Sequence, residues 1–269
     1  MKDVKVLTDN GVNVEKSLEL FETMDVYDET LIDFVDEVDD KLVKAKQYMD
    51  SGMLPDYAIF VHSLKTGARY LGFEVLGEMA FKHEMESKEG NHTYITTHFD
   101  ELVAETNKAV TLAKKYLTGQ QQTTEEASVI ENLIPETLEV PSSKKTILIA
   151  DDSSIVSNFI CRTFEADYEV IVAEDGQVAL DIIYQRMDQI DCLLLDLNMP
   201  NVDGFGVLEH FKANNLFNQI PISIITGNDT KDEIARAFTY QIVDMLSKPF
   251  SERDVKSIVE RTIAAKKAE

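Results

Sequence analysis

The sequence DCLLLDLNMP at residues 191–200 decides the fold of the C-terminal half of the chain, because an apolar run in it ends abruptly in a carboxylate. Residues 192–195 are all apolar, Asp196 follows them, and a proline stands four residues further on. Such a run predicts a strand buried on both faces, as in the parallel sheet of an α/β domain. Open α/β sheets bind ligands at the carboxyl ends of their strands. We therefore expect Asp196 to take part in chemistry rather than in packing.

Strands and helices alternate on both sides of this stretch, from Lys144 to the end of the chain. The predicted strands are 146–150, 169–173, 190–196, 220–226 and 243–247. A helix is predicted after each strand, at 153–165, 176–187, 204–214, 230–240 and 252–266. Five such units predict a doubly wound, five-stranded parallel sheet with helices on both faces.

Polar residues gather at the carboxyl ends of these strands. Asp151 and Asp152 follow the first strand, Asp196 closes the third, Thr226 closes the fourth and Lys248 follows the fifth. Crowded carboxylates resist ionisation unless a cation neutralises them, and hard oxygen ligands suit Mg²⁺. A hydroxyl and an ammonium group would stabilise a phosphoryl group arriving at a nucleophilic carboxylate. Any one of these residues alone would more simply cap a helix or close a loop, but five at one edge favour a phosphoryl site.

The N-terminal half shows helical spacing throughout and no strand-like alternation. Helices are predicted at 12–23, 28–50, 55–74, 76–89 and 93–117. We interpret residues 1–117 as an all-α four-helix bundle with a leading helix.

On the third of these helices, His62, Lys65 and Arg69 share one stripe, which we expect to face solvent. Neighbouring positive charge disfavours imidazolium and leaves a nucleophilic ring nitrogen free at neutral pH. A solvated helix face with an incidental histidine is the simpler alternative. The other histidines show no metal-ligand spacing and are expected at the surface; they are His83, His92, His98 and His210.

Residues 118–144 are polar and rich in Gln, Thr, Pro and Ser, which is typical of a linker between domains. A short helix is predicted within it at 124–134, where a capping-box pattern precedes apolar residues. As a flexible chain this linker would span roughly 30 Å. It separates residues 1–117 from a second domain at 145–269, and the two domains are close enough to meet.

Composition limits the classes of partner. The 269-residue chain has a net charge of −23, which argues against binding nucleic acid, and no apolar run is long enough for membrane insertion. Its start lacks the pattern of a signal peptide, and its two cysteines lie in apolar segments. We expect a cytoplasmic protein with protein partners and an oligomeric state that the sequence does not reveal.

Residues 145–266 resemble a response-regulator receiver domain, which has a flavodoxin-like fold. The family's motifs occur in order as IADD at 149–152, LDLNMP at 195–200, ITG at 225–227 and SKPF at 247–250. The resemblance implies a phosphoprotein that assists its own phosphorylation and dephosphorylation. It also implies a role for each matching residue: Asp196 as phosphoacceptor, Asp152 and Asp196 as direct Mg²⁺ ligands, Asp151 as a ligand through water, Asn198 as a ligand through its carbonyl, and Thr226 and Lys248 as phosphoryl contacts. Met245 stands at the switch position, where the family usually has an aromatic residue.

Residues 62–67, HSLKTG, with Leu71-Gly72 further on, resemble the motif of histidine phosphotransfer (HPt) domains. The resemblance implies that His62 carries a phosphoryl group and that Lys65, with Arg69 beside it, supports that group. Thr66 stands where the family has glycine, and the side chain would narrow the approach of a partner receiver. No glycine-rich nucleotide loop occurs, so autophosphorylation from ATP is not predicted. We expect a phosphotransfer signalling protein rather than an enzyme.

Together these resemblances predict a two-component phosphorelay protein that carries phosphoryl groups on His62 and Asp196 with Mg²⁺ as cofactor. Sensor histidine kinases and other receiver or HPt proteins are the implied partners. Two alternatives stay open, a non-catalytic signalling adaptor with a degenerate HPt domain and a Mg²⁺-dependent phosphohydrolase with Asp196 as its nucleophile.

Overall fold

A computed structural model describes residues 2–119, 144–227 and 231–266 of the chain. The short helix predicted at 124–134 lies outside these residues.

The helical region begins with two short helices and continues with four long ones. Their bounds are α1 Lys5–Thr8, α2 Val14–Phe21, α3 Met24–Asp50, α4 Leu54–Tyr70, α5 Glu74–Lys88 and α6 His92–Thr118. Helix α3 packs on α4 and α6, and α5 packs on the same two helices. The predicted four-helix bundle with a leading helix is therefore confirmed, and α1 is a single extra turn before it.

Local sequence sets the ends of these helices. The side chain of Thr23 accepts a hydrogen bond from the Val26 N–H and so starts α3 four residues before the predicted start. At the end of α4, Gly72 adopts a φ of +77°, and a Cβ there would lie 2.5 Å from the carbonyl oxygen of Asn13. Only glycine fits this turn without strain. The Leu71-Gly72 pair therefore brings α4 to a stop against the leading helix.

The second region alternates strands and helices as predicted. Its elements are β1 Thr146–Ala150, α7 Ser154–Phe164, β2 Glu169–Ala173, α8 Gly176–Arg186, β3 Ile190–Leu195, α9 Gly204–Asn214, β4 Ile222–Thr226, α10 Lys231–Ala237, β5 Asp244–Ser247 and α11 Glu252–Ala264. All strand pairs are parallel, and the strand order is β2-β1-β3-β4-β5. The stretch 191–200 thus supplies the central strand, and its carboxyl end lies between those of β1 and β4.

Each face of the sheet has its own hydrophobic cluster. Leu148 and Leu193 pack with α8 and α9 on one face. Ile147 and Ile149 pack with α7 and α11 on the other, and this second cluster continues without a break into the helical bundle. The two regions therefore share one core.

Aromatic rings mark the contact between the regions. Phe21 and Tyr70 of the helical region lie against Phe159 and Phe250 of the second region, with ring centroids 5.4 Å apart for Phe21 and Phe159 and 5.8 Å apart for Tyr70 and Phe250. Such ring pairs stabilise a contact beyond the apolar area that they bury. Helix α4 is thereby held against the carboxyl edge of the sheet.

Within the residues that the structure describes, no helix combines the length and the apolar character needed to cross a membrane.

Candidate functional site

Three carboxylates meet at the carboxyl edge of the sheet. Asp151 and Asp152 follow β1, Asp196 follows β3, and each offers an oxygen within 4.8 Å of the others. The main chain fixes this convergence, since the Asp196 N–H donates to the Ala150 carbonyl at 2.8 Å. The sequence prediction that these residues lie together is confirmed in position.

Lys248 provides the counter-charge. Its Nζ lies 2.6 Å from Asp151 Oδ2 and 2.6 Å from Asp196 Oδ2, and all three side chains are buried. Burial alone would lower the pKa of the lysine, but the two adjacent carboxylates outweigh burial and raise it above its ordinary value. Lys248 therefore stays charged beside Asp196.

The acidic cluster has the donor set of a divalent-cation site. Burial, opposed by Lys248 and reinforced by Asp196, raises the pKa of Asp151 to about 6. Burial and the two neighbouring carboxylates raise the pKa of Asp152 well above its ordinary value, and its buried Oδ1 has no hydrogen-bond partner among the described residues. The single positive charge of Lys248 thus does not neutralise the three carboxylates. Such oxygen donors fit Mg²⁺.

The remaining predicted receiver residues surround this cluster. The Asn198 N–H donates to Asp196 Oδ1 at 3.2 Å. Thr226 is buried at the end of β4, and its carbonyl accepts a hydrogen bond from the main-chain N–H of Lys248. Met245 lies on β5 opposite Ile224 and packs in the cluster of α8 and α9. The fold thus brings three predicted residues to Asp196, namely Asn198, Thr226 and Lys248. Met245 instead lies on the face of the sheet that packs on α8 and α9, away from the helical bundle.

The expectation that His62, Lys65 and Arg69 form a solvent-facing stripe is wrong. His62 and Lys65 are each only 2% exposed, and only Arg69 keeps contact with water. Helical spacing shows which residues share a face, but it does not show what covers that face. Here α5 covers one side of His62, and Gly227, directly after β4, lies at the other.

Glu84 on α5 anchors the buried histidine. Its Oε1 lies 2.9 Å from His62 Nδ1, and its Oε2 lies 2.7 Å from Lys65 Nζ. Burial lowers the pKa of His62, and the Lys65 charge adds to this, while Glu84 only partly offsets both. The imidazole is neutral at pH 7, and the carboxylate holds its proton on Nδ1. The nucleophilic lone pair is therefore on Nε2.

Nε2 of His62 points at the second region. A Cβ added to Gly227, in the loop after β4, would lie 3.5 Å from this nitrogen and 3.7 Å from Thr66 Oγ1. Neither atom has a hydrogen-bond partner among the described residues. A narrow crevice joins Thr66 to Lys248. The predicted histidine and the predicted aspartate thus lie at one interface.

Lys65 and Arg69 are placed differently from the expectation. Lys65 pairs with Glu84 on the Nδ1 side of the ring rather than beside Nε2, and burial lowers its pKa despite that carboxylate. Arg69 pairs with Glu78 at 3.1 Å and lies over the ring of Phe81. Arg69 therefore borders the crevice from its exposed end.

Polar contacts surround the interface. Arg162 of α7 lies 3.0 Å from Glu29 and 2.9 Å from Asp33, both on α3. The Ser154 hydroxyl of α7 donates to Glu37 of α3, which lies one turn beyond Asp33. Beside these contacts a cleft of about 680 Å³ separates α3 and α4 from the acidic cluster, with Lys41 on one wall and Asp152 on the other.

The sequence analysis missed Glu84 and misplaced His83. Glu84 lies on the same buried stripe of α5 as Leu76 and Ala80, so a carboxylate at i+4 and i+8 from apolar positions was a usable signal. His83 is also buried, and its Nδ1 lies 2.8 Å from the Tyr57 hydroxyl. The expectation that His83 is a surface residue is therefore wrong, because its ring reaches Tyr57 in the core.

The comparison with known families agrees with this geometry. The family model for the response regulator receiver domain matches residues 147–260. The probable methanogenesis regulatory protein FilR2 of Methanothrix harundinacea is 32% identical over 123 residues, which cover 44% of this chain and 78% of that protein. A probable cyclic di-GMP phosphodiesterase of Vibrio cholerae is 33% identical over 126 residues, 47% of this chain and 28% of that protein. The solved chemotaxis protein CheY4 of Vibrio cholerae is 24% identical, with a TM-score of 0.41, and the match covers 45% of this chain and 99% of that one.

A buried aspartate beside a lysine and two further acids lies at the carboxyl edge of this sheet, whose strand order is 2-1-3-4-5. The chain belongs to the response regulator receiver family through residues 147–260.

Proposed function

We propose that this protein is a Mg²⁺-dependent phosphorelay protein that carries phosphoryl groups on Asp196 and His62 and exchanges them within one chain. The observation that carries the proposal is that His62 Nε2 faces Gly227. Gly227 directly follows Thr226 and lies at the same edge of the sheet as Asp196. The neutral ring and its unpartnered Nε2 further support a role as phosphoryl acceptor.

In the receiver half of the reaction, a carboxylate oxygen of Asp196 forms the bond to phosphorus and the donor's leaving group departs. Lys248 Nζ and the Thr226 hydroxyl bind the phosphoryl oxygens. Asp151, Asp152 and Asp196, with the carbonyl of Asn198, would hold a Mg²⁺ ion. Such an ion would supply positive charge to the phosphoryl oxygens. Met245 takes the switch position on β5.

In the transfer half, the lone pair on His62 Nε2 attacks phosphorus and the bond to the Asp196 oxygen breaks. The released electron pair restores the aspartate carboxylate, which Lys248 then neutralises. The proton on Nδ1 stays in place, and the positive charge that forms on the ring is stabilised by Glu84 at 2.9 Å. The reverse sequence returns the group to Asp196. Sensor histidine kinases and other receiver or HPt proteins are the proposed external partners.

The test uses the full chain with acetyl phosphate as donor, in the presence and absence of MgCl₂. Peptide mapping by mass spectrometry should find a Mg²⁺-dependent, base-labile phosphate on Asp196 and an acid-labile phosphate on His62. Asp196→Asn should abolish both labels and His62→Gln only the second. The matched controls Asp188→Asn and His92→Gln change exposed residues and should change neither label.

Two results would contradict the proposal in different ways. Equal labelling of the receiver in Asp196→Asn would remove Asp196 as phosphoacceptor. Labelled Asp196 with no phosphate on His62 would leave a receiver docked on a helical adaptor that has lost transfer.

A further inference from the structure

The hydroxyl of Thr66 is buried and unsatisfied, which is unusual for a threonine inside a helix. Buried helical threonines normally donate to the carbonyl four residues earlier. Thr30 and Thr106 of this chain do so, at 2.7 Å and 2.8 Å. Thr66 is only 3% exposed, yet its Oγ1 has no hydrogen-bond partner among the described residues. An orphaned buried hydroxyl has a cost that calls for an explanation.

The direction of this hydroxyl supplies the explanation. Oγ1 of Thr66 and Nε2 of His62, one helical turn apart, both face the space that the missing side chain of Gly227 leaves open. Gly227 follows Thr226 directly, and Lys248 closes the other side of the same crevice. Two unpartnered polar atoms of α4, His62 Nε2 and Thr66 Oγ1, therefore face the carboxyl edge of the sheet at which Asp196 lies.

We propose that the Thr66 hydroxyl is a phosphoryl-binding group of the transfer step, a proposal that rests on the proposed function. It donates a hydrogen bond to a phosphoryl oxygen while the bond from phosphorus to Asp196 breaks and the bond to His62 Nε2 forms. The hydroxyl keeps its proton, and the electron pair of the broken bond goes to the Asp196 carboxylate. Thr66 thus supplies from α4 a donor that glycine at this position lacks.

The experiment follows both phosphates in the full chain after mixing with acetyl phosphate and MgCl₂, by rapid quench and peptide mapping. Thr66→Val keeps the shape of the side chain and removes the donor. It should slow formation of phosphohistidine about 10- to 100-fold, as expected for one hydrogen bond to a charged group, while Asp196 is labelled at the unaltered rate. Thr66→Ser should restore the rate to within about threefold of wild type. Thr106→Val, which removes a back-bonded buried hydroxyl, is the matched control and should not slow transfer.

The possible failures are distinguishable. Phosphohistidine formed equally fast in Thr66→Val would overturn the assignment of Thr66 and leave the proposed function intact. Absence of phosphohistidine in the wild-type chain would overturn both. Loss of Asp196 labelling in Thr66→Val and Thr66→Ala alike would show that the side chain is needed for structure, and the assignment would fail.

Discussion

Glu84 shows how much one side chain determines at the residue scale. It is almost fully buried and contacts His62, Lys65 and Lys88. Burial would raise its pKa, but the hydrogen bond with His62 and the charges of Lys65 and Lys88 outweigh burial and hold the pKa far below its ordinary value. Glu84 is therefore ionised at neutral pH, and it sets both the tautomer of His62 and the charge balance of Lys65.

Replacing Glu84 by Gln should destabilise the protein and alter His62. The amide keeps a hydrogen-bond acceptor but removes the charge that compensates a buried lysine, so we expect a loss of about 3 kcal/mol in the free energy of unfolding. The pKa of His62 should fall further, because Glu84 is the group that raises it. Urea unfolding at pH 7.5 measures the first effect, and NMR titration of the imidazole measures the second.

Glu89→Gln is the matched control, since Glu89 is exposed just beyond the end of α5. It should change stability by only a few tenths of a kcal/mol. An unchanged His62 titration in Glu84→Gln would mean that the carboxylate does not hold the ring.

Single residues also show where sequence reasoning succeeded and where it stopped. Asp196 and Lys248 could be predicted because the ends of parallel strands necessarily converge at one edge of a sheet. The burial of His62 could not, since it depends on a contact between segments that are far apart in the sequence. The helical spacing of His62 and Lys65 was correct, and only their surroundings were unknown.

At the scale of the element, α5 carries two adjacent buried polar side chains, His83 and Glu84, whose pKa values are both lowered, so the folded state resists protonation of both. Burial, with the nearby His98 charge, lowers the pKa of His83 from 6.5 to about 4. Between these values the unfolded chain binds a proton that the folded chain excludes. The stability contributed by neutral His83 is therefore complete above pH 6.5 and is lost as the pH falls towards 4.

His83→Gln should remove this part of the pH dependence. A pKa difference from 6.5 in the unfolded chain to about 4 in the folded chain corresponds to roughly 3 kcal/mol. Between pH 7.5 and pH 4 the free energy of unfolding should therefore decrease more in wild type than in the variant, by up to about that amount. Chemical unfolding of both proteins across this range is the measurement. Parallel curves for the two proteins would show that His83 titrates normally.

The same scale explains why the elements were predicted well and their ends less well. The bounds of β1, β2 and α9 agree with the prediction because apolar runs and turn residues mark them clearly. Helix α3 begins at Met24 rather than at 28, because the Thr23 cap lies in a segment without a strong apolar pattern. Helix α10 ends at Ala237, three residues early, since residues 238–240 form a turn.

At the scale of the whole molecule, the two regions pack against each other. Their hydrophobic clusters are continuous, and acidic residues of α3 face Arg162 of α7. The length of the linker predicts that the two regions can meet, but it does not predict which surfaces meet. His62 and Asp196 are both buried in this docked arrangement, so the proposed exchange with a kinase or a second receiver would require separation of the regions.

Arg162→Glu should favour that separation. The change places a third carboxylate against Glu29 and Asp33, and a like-charge contact of this kind costs several kcal/mol. His62 should then react with diethyl pyrocarbonate at least about tenfold faster than in wild type, because the open state is more populated. Modification of His62, followed by peptide mapping under native conditions, is the measurement.

Two further variants make the result specific to the interface. Arg186→Glu reverses an exposed arginine that pairs with Glu169, away from α3, and should leave the reactivity of His62 unchanged. Adding Asp33→Lys to Arg162→Glu recreates an opposite-charge pair and should slow the modification again. If His62 reacts equally slowly in Arg162→Glu and in wild type, the apolar contacts alone hold the regions together, and the acidic face of α3 has no part in opening them.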